Sequence, residues 1–401
     1  MGNEKTFPDN LSEILKTIET QAGSFFEGVT ETLVGKAENL RDGTEFNPVE
    51  LPRDLYAHSN AQTEWWYYTG HAETASGKQF GFEFVFFKRR TDLDKFSMIP
   101  LRLLGNPIYF AHFAITEHND KKFRYAHRKS ANGKLDLPAS MSDKHYYLSL
   151  GDWSIRESNG SHILRASIGD NLTFEATLTA TKPVIFNGKD GKGVSFKDEG
   201  EASRYFAYTR MEMDGDLVIN NEVEHFTGSA WMDREFGTWT PTNNQKGWDW
   251  FSVQLENGTE LMCYQLRNES GGVSPFSSGT FIDEKGNFTY LSHEDFKIEP
   301  TGFWESPNTK ATYPSGWKLT VEKFNLNLIV TPVIPDQELD TRGTTMIVYW
   351  EGACSVEGQK DSPNGKAYVE LVGYDRSHDS PNLAYFLMGN QFEFPPKSFF
   401  G

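Results

Sequence analysis

The sequence contains few cysteines and no long apolar run, and these two features limit the classes of protein to which it can belong. Its 401 residues include two cysteines, Cys263 and Cys354, which make neither a disulfide framework nor a metal-ligand spacing. No apolar stretch is long enough to span a bilayer, and the opening MGNEKTFPDNLSEIL lacks the apolar core of a signal peptide. We therefore expect free, buried thiols and a cytoplasmic protein without stable membrane insertion.

Basic residues are also scarce relative to acidic ones. The chain has 39 Lys and Arg against 56 Asp and Glu, which gives a formal net charge of −17 at pH 7. Binding to a nucleic-acid backbone requires concentrated positive charge, and an anionic membrane surface attracts basic residues for the same reason. The composition therefore argues against both partners.

Several catalytic motifs are missing as well. There is no Gly-x-Ser-x-Gly elbow, no His-Glu-x-x-His pair and no phosphate-binding loop. Only a spatial meeting of scattered histidines, His58, His71, His112 and His225, offers a route to a metal site. We expect neither a metal nor a cofactor.

Aromatic residues, by contrast, are abundant. They make up 14% of the chain, with 31 Phe, 16 Tyr and 10 Trp, alongside 35 Gly and 18 Pro. Short strand-like segments separated by turns predict antiparallel sheets, and the length suits two domains. We expect a helical N-terminal arm at 1–46, one β-domain at 47–240 and another at 241–401. The arm packs on the β-domains or on a second subunit, which would make a homodimer.

The segment from Gly228 to Arg267 holds four of the tryptophans and the clearest hairpin. Asn257-Gly258 predicts a two-residue type I′ turn, which would pair Phe251 with Tyr264 and Asp249 with Leu266. Alternation along the strands then gives one apolar core face. The other face, predicted to line a ligand pocket, carries Trp248, Trp250, Ser252, Gln254, Leu261, Cys263, Gln265 and Arg267.

A second hairpin is predicted between His58 and Arg89. Its turn lies at Ala75–Lys78, and its second strand places Phe80, Phe82, Phe84 and Phe86 on one face. That face forms an aromatic wall, either buried or facing a ligand.

Three carboxyl groups lie beside tryptophans: Glu64, Asp233 and Asp249. Desolvation by indole rings raises a carboxyl pKa, so each is a candidate general acid, and the rings can stabilise a carbocation. Structural alternatives stay open. Asp233-Arg234-Glu235 could form salt bridges at the end of a strand. Glu64 could bind Arg234 or backbone amides, and Asp249 could cap a loop.

Several motifs together resemble the AttH-like / carotenoid 1,2-hydratase family. They are HSNAQTEWWYYTGH, GFEFVFF, AHFAIT, GSAWMDREFG, GWDWFSVQLENGTELMCYQLR and YWEGACSVEG with AYVELVGY, from about His58 to Tyr374. The resemblance implies tandem lipocalin-like (calycin) antiparallel β-barrels, a fold shared with Diels–Alder cyclases. It also implies hydration of an isoprenoid double bond by an aspartic acid, for which Asp249 and Asp233 are the candidates.

These observations predict a cofactor-independent enzyme that acts on a hydrophobic polyunsaturated substrate, terpenoid or polyketide-like, by acid-initiated hydration, isomerisation or cyclisation. The expected catalytic residues are Asp249, Asp233 and Glu64. The expected substrate-binding residues are Trp65, Trp66, Tyr68, Trp231, Trp248, Trp250, Tyr264, Gln265 and Cys263. Two alternatives remain: a pericyclase in which Gln265, Tyr264 or Arg267 polarises a carbonyl, and a non-catalytic lipid or isoprenoid carrier.

Overall fold

The structure is a computed structural model that describes residues 47–92, 95–96, 99–100, 105–131, 137–238, 245–375 and 391–394. The helical arm predicted for residues 1–46 lies outside the described residues. The described part of the chain consists of β-strands and turns, as predicted, with two short 3₁₀ helices, Arg53–Leu55 and Glu322–Phe324. None of the helices in this part is long and apolar enough to cross a membrane.

The strands of the described residues are numbered along the chain. The first group is β1 (Thr63–Thr74), β2 (Gln79–Arg89), β3 (Lys95–Phe96), β4 (Ile99–Pro100), β5 (Ile108–Glu117), β6 (Lys122–Ser130), β7 (Ala139–Met141), β8 (Tyr147–Leu150), β9 (Trp153–Ser158), β10 (Ser161–Ile168), β11 (Leu172–Ala180), β12 (Ile185–Phe186), β13 (Val194–Asp198), β14 (Glu201–Ile219) and β15 (Glu222–Gly237). The turn predicted at Ala75–Lys78 is confirmed, because it joins β1 to β2.

The remaining strands follow the connection after Gly237. They are β16 (Gln245–Leu255), β17 (Glu260–Asn268), β18 (Ser278–Ile282), β19 (Phe288–Ser292), β20 (Lys297–Pro300), β21 (Phe303–Glu305), β22 (Thr312–Pro314), β23 (Trp317–Val321), β24 (Leu326–Pro332), β25 (Glu338–Asp340), β26 (Val348–Gly358), β27 (Gly365–Val372) and β28 (Gln391–Phe394).

The first sheet is a nearly closed antiparallel barrel. Its order is β28-β6-β5-β2-β1-β15-β14-β11-β10-β9-β8-β7, with β12 and β13 also paired to β14. Rings from distant strands meet inside it: Phe84 of β2 and Phe113 of β5 lie 5.8 and 6.0 Å from Trp153 of β9, measured between ring centroids. Aromatic side chains therefore fill the interior that the sheet curls around.

The second sheet is a half-barrel with its own apolar core. Its order is β19-β18-β17-β16-β27-β26-β24-β23-β20, and β25 pairs with β26. Phe251, Trp317 and Trp350 pack together on its concave side. The pairs β3-β4 and β21-β22 form separate two-stranded sheets. A nearly closed antiparallel barrel and a half-barrel are consistent with the all-β fold of two lipocalin-like barrels that the sequence predicted.

Strands β1 and β2 are buried on both faces, which explains why they are aromatic without a polar alternation. Trp66 and Phe84 point into the first barrel, whereas Tyr67 and Val85 belong to a separate cluster that packs against the second sheet. The sheets touch closely at Gly81, where an added Cβ would lie 2.5 Å from the Cβ of Ala353. The predicted Phe80–Phe86 aromatic wall is therefore barrel core.

The predicted register of the β16-β17 hairpin was wrong by one residue. Trp250 pairs with Tyr264 and Phe251 with Cys263. The reason is the turn: the backbone N–H of Leu255 donates to Thr259, and only Gly258 has a positive φ, 79°. This is a three-residue loop with the glycine in the left-handed position, not a type I′ turn. In the observed register, Tyr264 lies on the same face of the hairpin as Trp250, and Cys263 and Gln265 lie on the opposite face.

Both cysteines are free and buried, as predicted. Cys263 lies in the core of the second sheet, where burial raises the pKa of its thiol. An apolar core position suits a small side chain without a reactive role.

Candidate active site

A cavity of about 250 Å³ lies between the two sheets, against the outward face of β1, β2 and β15. Its lining residues are Thr63, Trp65, Tyr67, Phe87, Arg89, Lys197, Tyr205, Asp233 and Glu235 from the first sheet and Trp248, Trp250, Tyr264, Leu266 and Glu370 from the second. Large aromatic walls with a few convergent polar groups are typical of small-molecule sites.

Asp233 is a buried carboxyl held by neutral donors. The indole N–H of Trp231 donates to its Oδ1 at 2.7 Å, and the hydroxyl of Tyr205 donates to its Oδ2 at 2.5 Å. Trp250 donates in turn to the Tyr205 oxygen at 3.1 Å, which orients that hydroxyl towards the carboxyl. Burial raises the pKa of Asp233 to about 7, and the two hydrogen bonds offset only part of the effect. The group can therefore donate a proton near neutral pH.

Glu370 is a second titrating carboxyl, and it belongs to the opposite wall. It lies on β27 directly across from Trp250, and the indole N–H of Trp248 donates to its Oε2 at 2.9 Å. Burial raises the pKa of Glu370 to about 7. The cavity thus has one carboxyl on each sheet whose charge changes near neutral pH.

Glu235 differs from both because it is paired with a cation. Its Oε1 lies 2.9 Å from Lys197 Nζ, and it also accepts a hydrogen bond from Ser203. Lys197 lies over the ring of Tyr264, 4.4 Å from the centroid. Burial lowers the pKa of Lys197, but the combined effect of Glu235, Tyr264 and Asp233 outweighs burial, and the pKa is raised. The pair is a fixed polar feature of the wall.

Comparison with known proteins places the chain in a family. The family model described as AttH-like matches residues 42–374. The chain belongs to the AttH-like family. A protein from Nitrosomonas europaea described as an AttH is similar over 82% of this chain and 98% of that one, at 28% identity and a TM-score of 0.73. Kievitone hydratase from Nectria haematococca is similar over 81% of this chain and 93% of that one, at 17% identity and a TM-score of 0.62, which shows a shared fold. No curated protein matches the chain.

Five of the residues predicted for the site of this AttH-like protein line the cavity: Asp233, Trp65, Trp248, Trp250 and Tyr264. Trp231 lies directly behind Asp233 and holds it. Tyr264 is fixed by its hydroxyl, which accepts a hydrogen bond from Ser278 at 2.9 Å and lies 3.0 Å from Ser195 Oγ.

Asp249 lies away from the cavity. Its neighbours along β16 face the cavity, so its own side chain points to the opposite side of the sheet. There Arg267 Nε donates to it at 2.9 Å and the Tyr374 hydroxyl at 3.0 Å. Burial raises the pKa of Asp249 even though Arg267 and Tyr374 oppose the shift. Its place is that of a structural ion pair.

Glu64 also lies away from the cavity, inside the end of the first barrel. It is fully buried and is bound by Arg234, by Lys88 Nζ at 2.6 Å and by the backbone N–H of His58 at 2.9 Å. Burial opposes its ionisation, but the charges of Arg234 and Lys88 outweigh this and hold the pKa of Glu64 well below its usual range. The sequence had left this Arg234 partnership open, and the structure contains it.

Four predicted binding residues point away from the cavity. Trp66 and Tyr68 point into the first barrel, where the Arg234 guanidinium lies 4.0 Å from the Trp66 ring. Cys263 and Gln265 lie on the same side of β17 as Arg267, opposite the cavity, because of the register slip. Trp66 and Tyr68 alternate along β1 with Trp65 and Tyr67, which face the cavity. The two pairs can be told apart only when it is known which face of the strand lies in the barrel core.

The prediction missed several cavity residues: Tyr67, Phe87, Lys197, Tyr205 and Glu370. Glu370 carries a sequence signal, since it interrupts an otherwise apolar strand, Tyr368-Val369-Glu370-Leu371-Val372. A carboxyl in such a strand must be paired, neutral or functional. Lys197 and Tyr205 come from β13 and β14, where no motif marks them.

The four histidines considered as metal ligands lie apart. His58 contacts Glu64, His112 contacts Tyr349, His71 contacts the Ala367 carbonyl, and His225 is bound by surface aspartates. Within the residues that the structure describes, no three His, Cys, Asp or Glu side chains are grouped to hold a metal ion.

Proposed function

We propose that this AttH-like protein is an enzyme that adds water across a carbon–carbon double bond of a hydrophobic, isoprenoid-type substrate. The observation that carries the proposal is Asp233, a carboxyl with a pKa of about 7 that faces an aromatic cavity. Such a group is protonated often enough at neutral pH to act as a general acid.

The step begins with transfer of the Asp233 proton to the less substituted alkene carbon. The π electrons form the new C–H bond, and the neighbouring carbon becomes a tertiary cation. Trp65, Trp248 and Trp250 line the same cavity, and indole rings attract a cation through their quadrupoles. A water molecule then forms the C–O bond and releases a proton, so the sum is alkene plus water giving alcohol.

The known relative favours hydration among the acid-initiated reactions. Kievitone hydratase is a hydratase by name and has the same fold. Isomerisation and cyclisation share the protonation step and differ in what captures the cation. Hydration results when water captures the cation, and a polar group on the opposite wall of the cavity can hold that water.

The pericyclase alternative has less support in this cavity. Of the three groups considered for carbonyl polarisation, Gln265 and Arg267 lie on the opposite side of β17. The third, Tyr264, lines the cavity, but its hydroxyl is engaged by Ser195 and Ser278. A pericyclic reaction does not require a general acid, so a pericyclase would not need a protonated Asp233.

The test uses farnesol, whose trisubstituted double bonds give tertiary cations on protonation. The protein is incubated with farnesol in H₂¹⁸O, and the organic extract is analysed by mass spectrometry. We expect a hydrated product carrying the label, and its loss in Asp233→Asn. Farnesol that binds but is recovered unchanged would instead support the carrier alternative and contradict the enzyme.

A further inference from the structure

Glu370 is the titrating carboxyl that protonation by Asp233 leaves unused. It belongs to β27 of the second sheet, whereas Asp233 belongs to β15 of the first. Both side chains line the cavity of about 250 Å³, Asp233 from the wall formed by the first sheet and Glu370 from the wall formed by the second. The two carboxyls therefore lie on opposite sides of a substrate bound in the cavity.

Trp250 lies between the two carboxyls and links them geometrically. Its indole N–H bonds to Tyr205, which donates to Asp233, and its backbone pairs in register with Glu370. Trp248 N–H holds Oε2 of Glu370, and within the described residues no protein donor reaches Oε1. One oxygen is thus positioned and the other is available to a water molecule in the cavity.

The other acids near Glu370 are less suited to this role. Glu235 shares a strand with Asp233 and is paired with Lys197. Glu351 is the cross-strand neighbour of Glu370 but is fully buried and accepts from the Tyr67 hydroxyl at 2.6 Å. Glu83 is also fully buried, and burial raises the pKa values of Glu83 and Glu351 well above their usual range. Of Glu83, Glu351 and Glu370, only Glu370 lines the cavity, and burial raises its pKa to about 7.

We infer that Glu370 is the catalytic base of the water addition: its carboxylate binds the attacking water and accepts its proton. This rests on the proposed function. In the step, a lone pair of the water oxygen forms the C–O bond to the cation made by Asp233. One O–H bond of that water breaks, and its proton goes to Glu370 Oε1. Asp233 ends as a carboxylate and Glu370 as an acid.

The resting state is restored by moving one proton from Glu370 back to Asp233 through water in the cavity. Because burial raises the pKa of both carboxyls to about 7, the two groups hold the proton with similar affinity. The same balance lets the pair run in reverse, with Glu370 protonating the leaving hydroxyl in a dehydration.

The test separates proton transfer to carbon from water addition. Wild type, Asp233→Asn, Glu370→Gln, Glu370→Asp and Glu351→Gln are incubated with farnesol in D₂O, and both deuterium in recovered farnesol and hydrated product are measured. In Glu370→Gln we expect hydration to fall by about 100-fold or more, the usual contribution of a general base. Deuterium should still accumulate, because the cation can return a proton to Asp233.

The variants control for a purely structural role. Glutamine keeps an acceptor for Trp248, and Glu370→Asp should recover part of the hydration. Glu351→Gln, in the adjacent buried position, should hydrate like the wild type. The wild-type hydration rate should depend on two groups titrating near pH 7, and Glu370→Gln should remove one of them.

Each outcome decides between the two claims. Full hydration by Glu370→Gln would overturn the role of Glu370 and leave the proposed function standing. Loss of deuterium uptake together with hydration would also overturn it, because Glu370 would then act before the cation forms. A wild type that gives neither deuterium uptake nor product would overturn the proposed function itself.

Discussion

The two faces of β1 and β15 carry equally buried carboxyls with opposite behaviour. Glu64 faces the interior of the first barrel beside the cations Arg234 and Lys88, and its pKa is depressed. Asp233 faces the cavity, receives only neutral hydrogen bonds from Tyr205 and Trp231, and its pKa is raised. Burial alone therefore does not determine the charge of a carboxyl; the partner does. We therefore expect the interior face to contribute to stability, and under the proposed function the cavity face transfers a proton.

The largest expected effect separates Asp233 from the other buried aspartate beside a tryptophan. Asp233→Asn should lower farnesol hydration by about 10²- to 10⁴-fold, because it removes the general acid. Asp249→Asn should retain most of the turnover per folded molecule, since Arg267 and Tyr374 hold that group outside the cavity. Initial rates of both variants make the comparison, and an inactive Asp249→Asn with an active Asp233→Asn would reverse the assignment.

On the interior face we expect a stability effect instead. Glu64→Gln leaves Arg234 buried without its carboxylate, so the free energy of unfolding should fall by about 3–5 kcal/mol. The matched control is Glu224→Gln, which breaks the exposed pair with Lys78 and should change stability by less than about 1 kcal/mol. Urea denaturation of the two variants measures both values. Equal effects would mean that the Glu64 cluster does not differ from a surface pair.

The pH dependence of stability should carry the signature of the cavity face. The folded protein holds the Asp233 proton to about pH 7, whereas the unfolded chain releases it near its ordinary value of 3.8. Stability from this group is therefore present at low pH and declines as the pH rises through that window. Asp233→Asn should flatten the decline by about 1.4 kcal/mol per pH unit. An unchanged slope in denaturation midpoints from pH 5 to 7 would contradict the raised pKa.

The smallest effect concerns the turn that brings Tyr264 to the cavity. Gly258→Ala places a side chain at a φ of 79°, so it should lower stability by about 1 kcal/mol. Gly272→Ala, at an exposed glycine with ordinary φ, serves as the control and should change stability little. Thermal unfolding of the pair measures the difference. A type I′ turn would predict an additional sensitivity at Asn257, which the three-residue loop does not.

Much of the fold could be predicted from the sequence because its signals are local. Turn residues and aromatic strands indicated antiparallel sheets, and clustered motifs indicated the family. Asp233 could be selected because it lies two residues after Trp231 on the same face of one strand. Gln265 was misplaced because the hairpin register depends on whether Asn257 has a positive φ, which Asn-Gly alone does not determine. Asp249 was chosen for its neighbouring tryptophans, although alternation along β16 places it on the face opposite Trp248 and Trp250.

The rest of the site depends on contacts between distant parts of the chain. Glu64 is adjacent to Trp65 in sequence but lies on the other face of β1, and its role follows from Arg234, 170 residues away. Glu370 meets Trp248 across 122 residues. Each pairing joins neighbouring strands of one sheet that are distant in the chain. The strand order is therefore needed to show that Glu64 lies beside cations in a barrel core and that Glu370 lies in a cavity.

The most direct test measures the protonation of Asp233 without any substrate. Infrared difference spectra of the wild type and Asp233→Asn, recorded across pH, isolate the C=O band of a protonated carboxyl. The account predicts a band that is missing in the variant and disappears in the wild type with a midpoint near pH 7. A carboxylate already ionised at pH 5 would contradict the assignment of Asp233 as the proton donor.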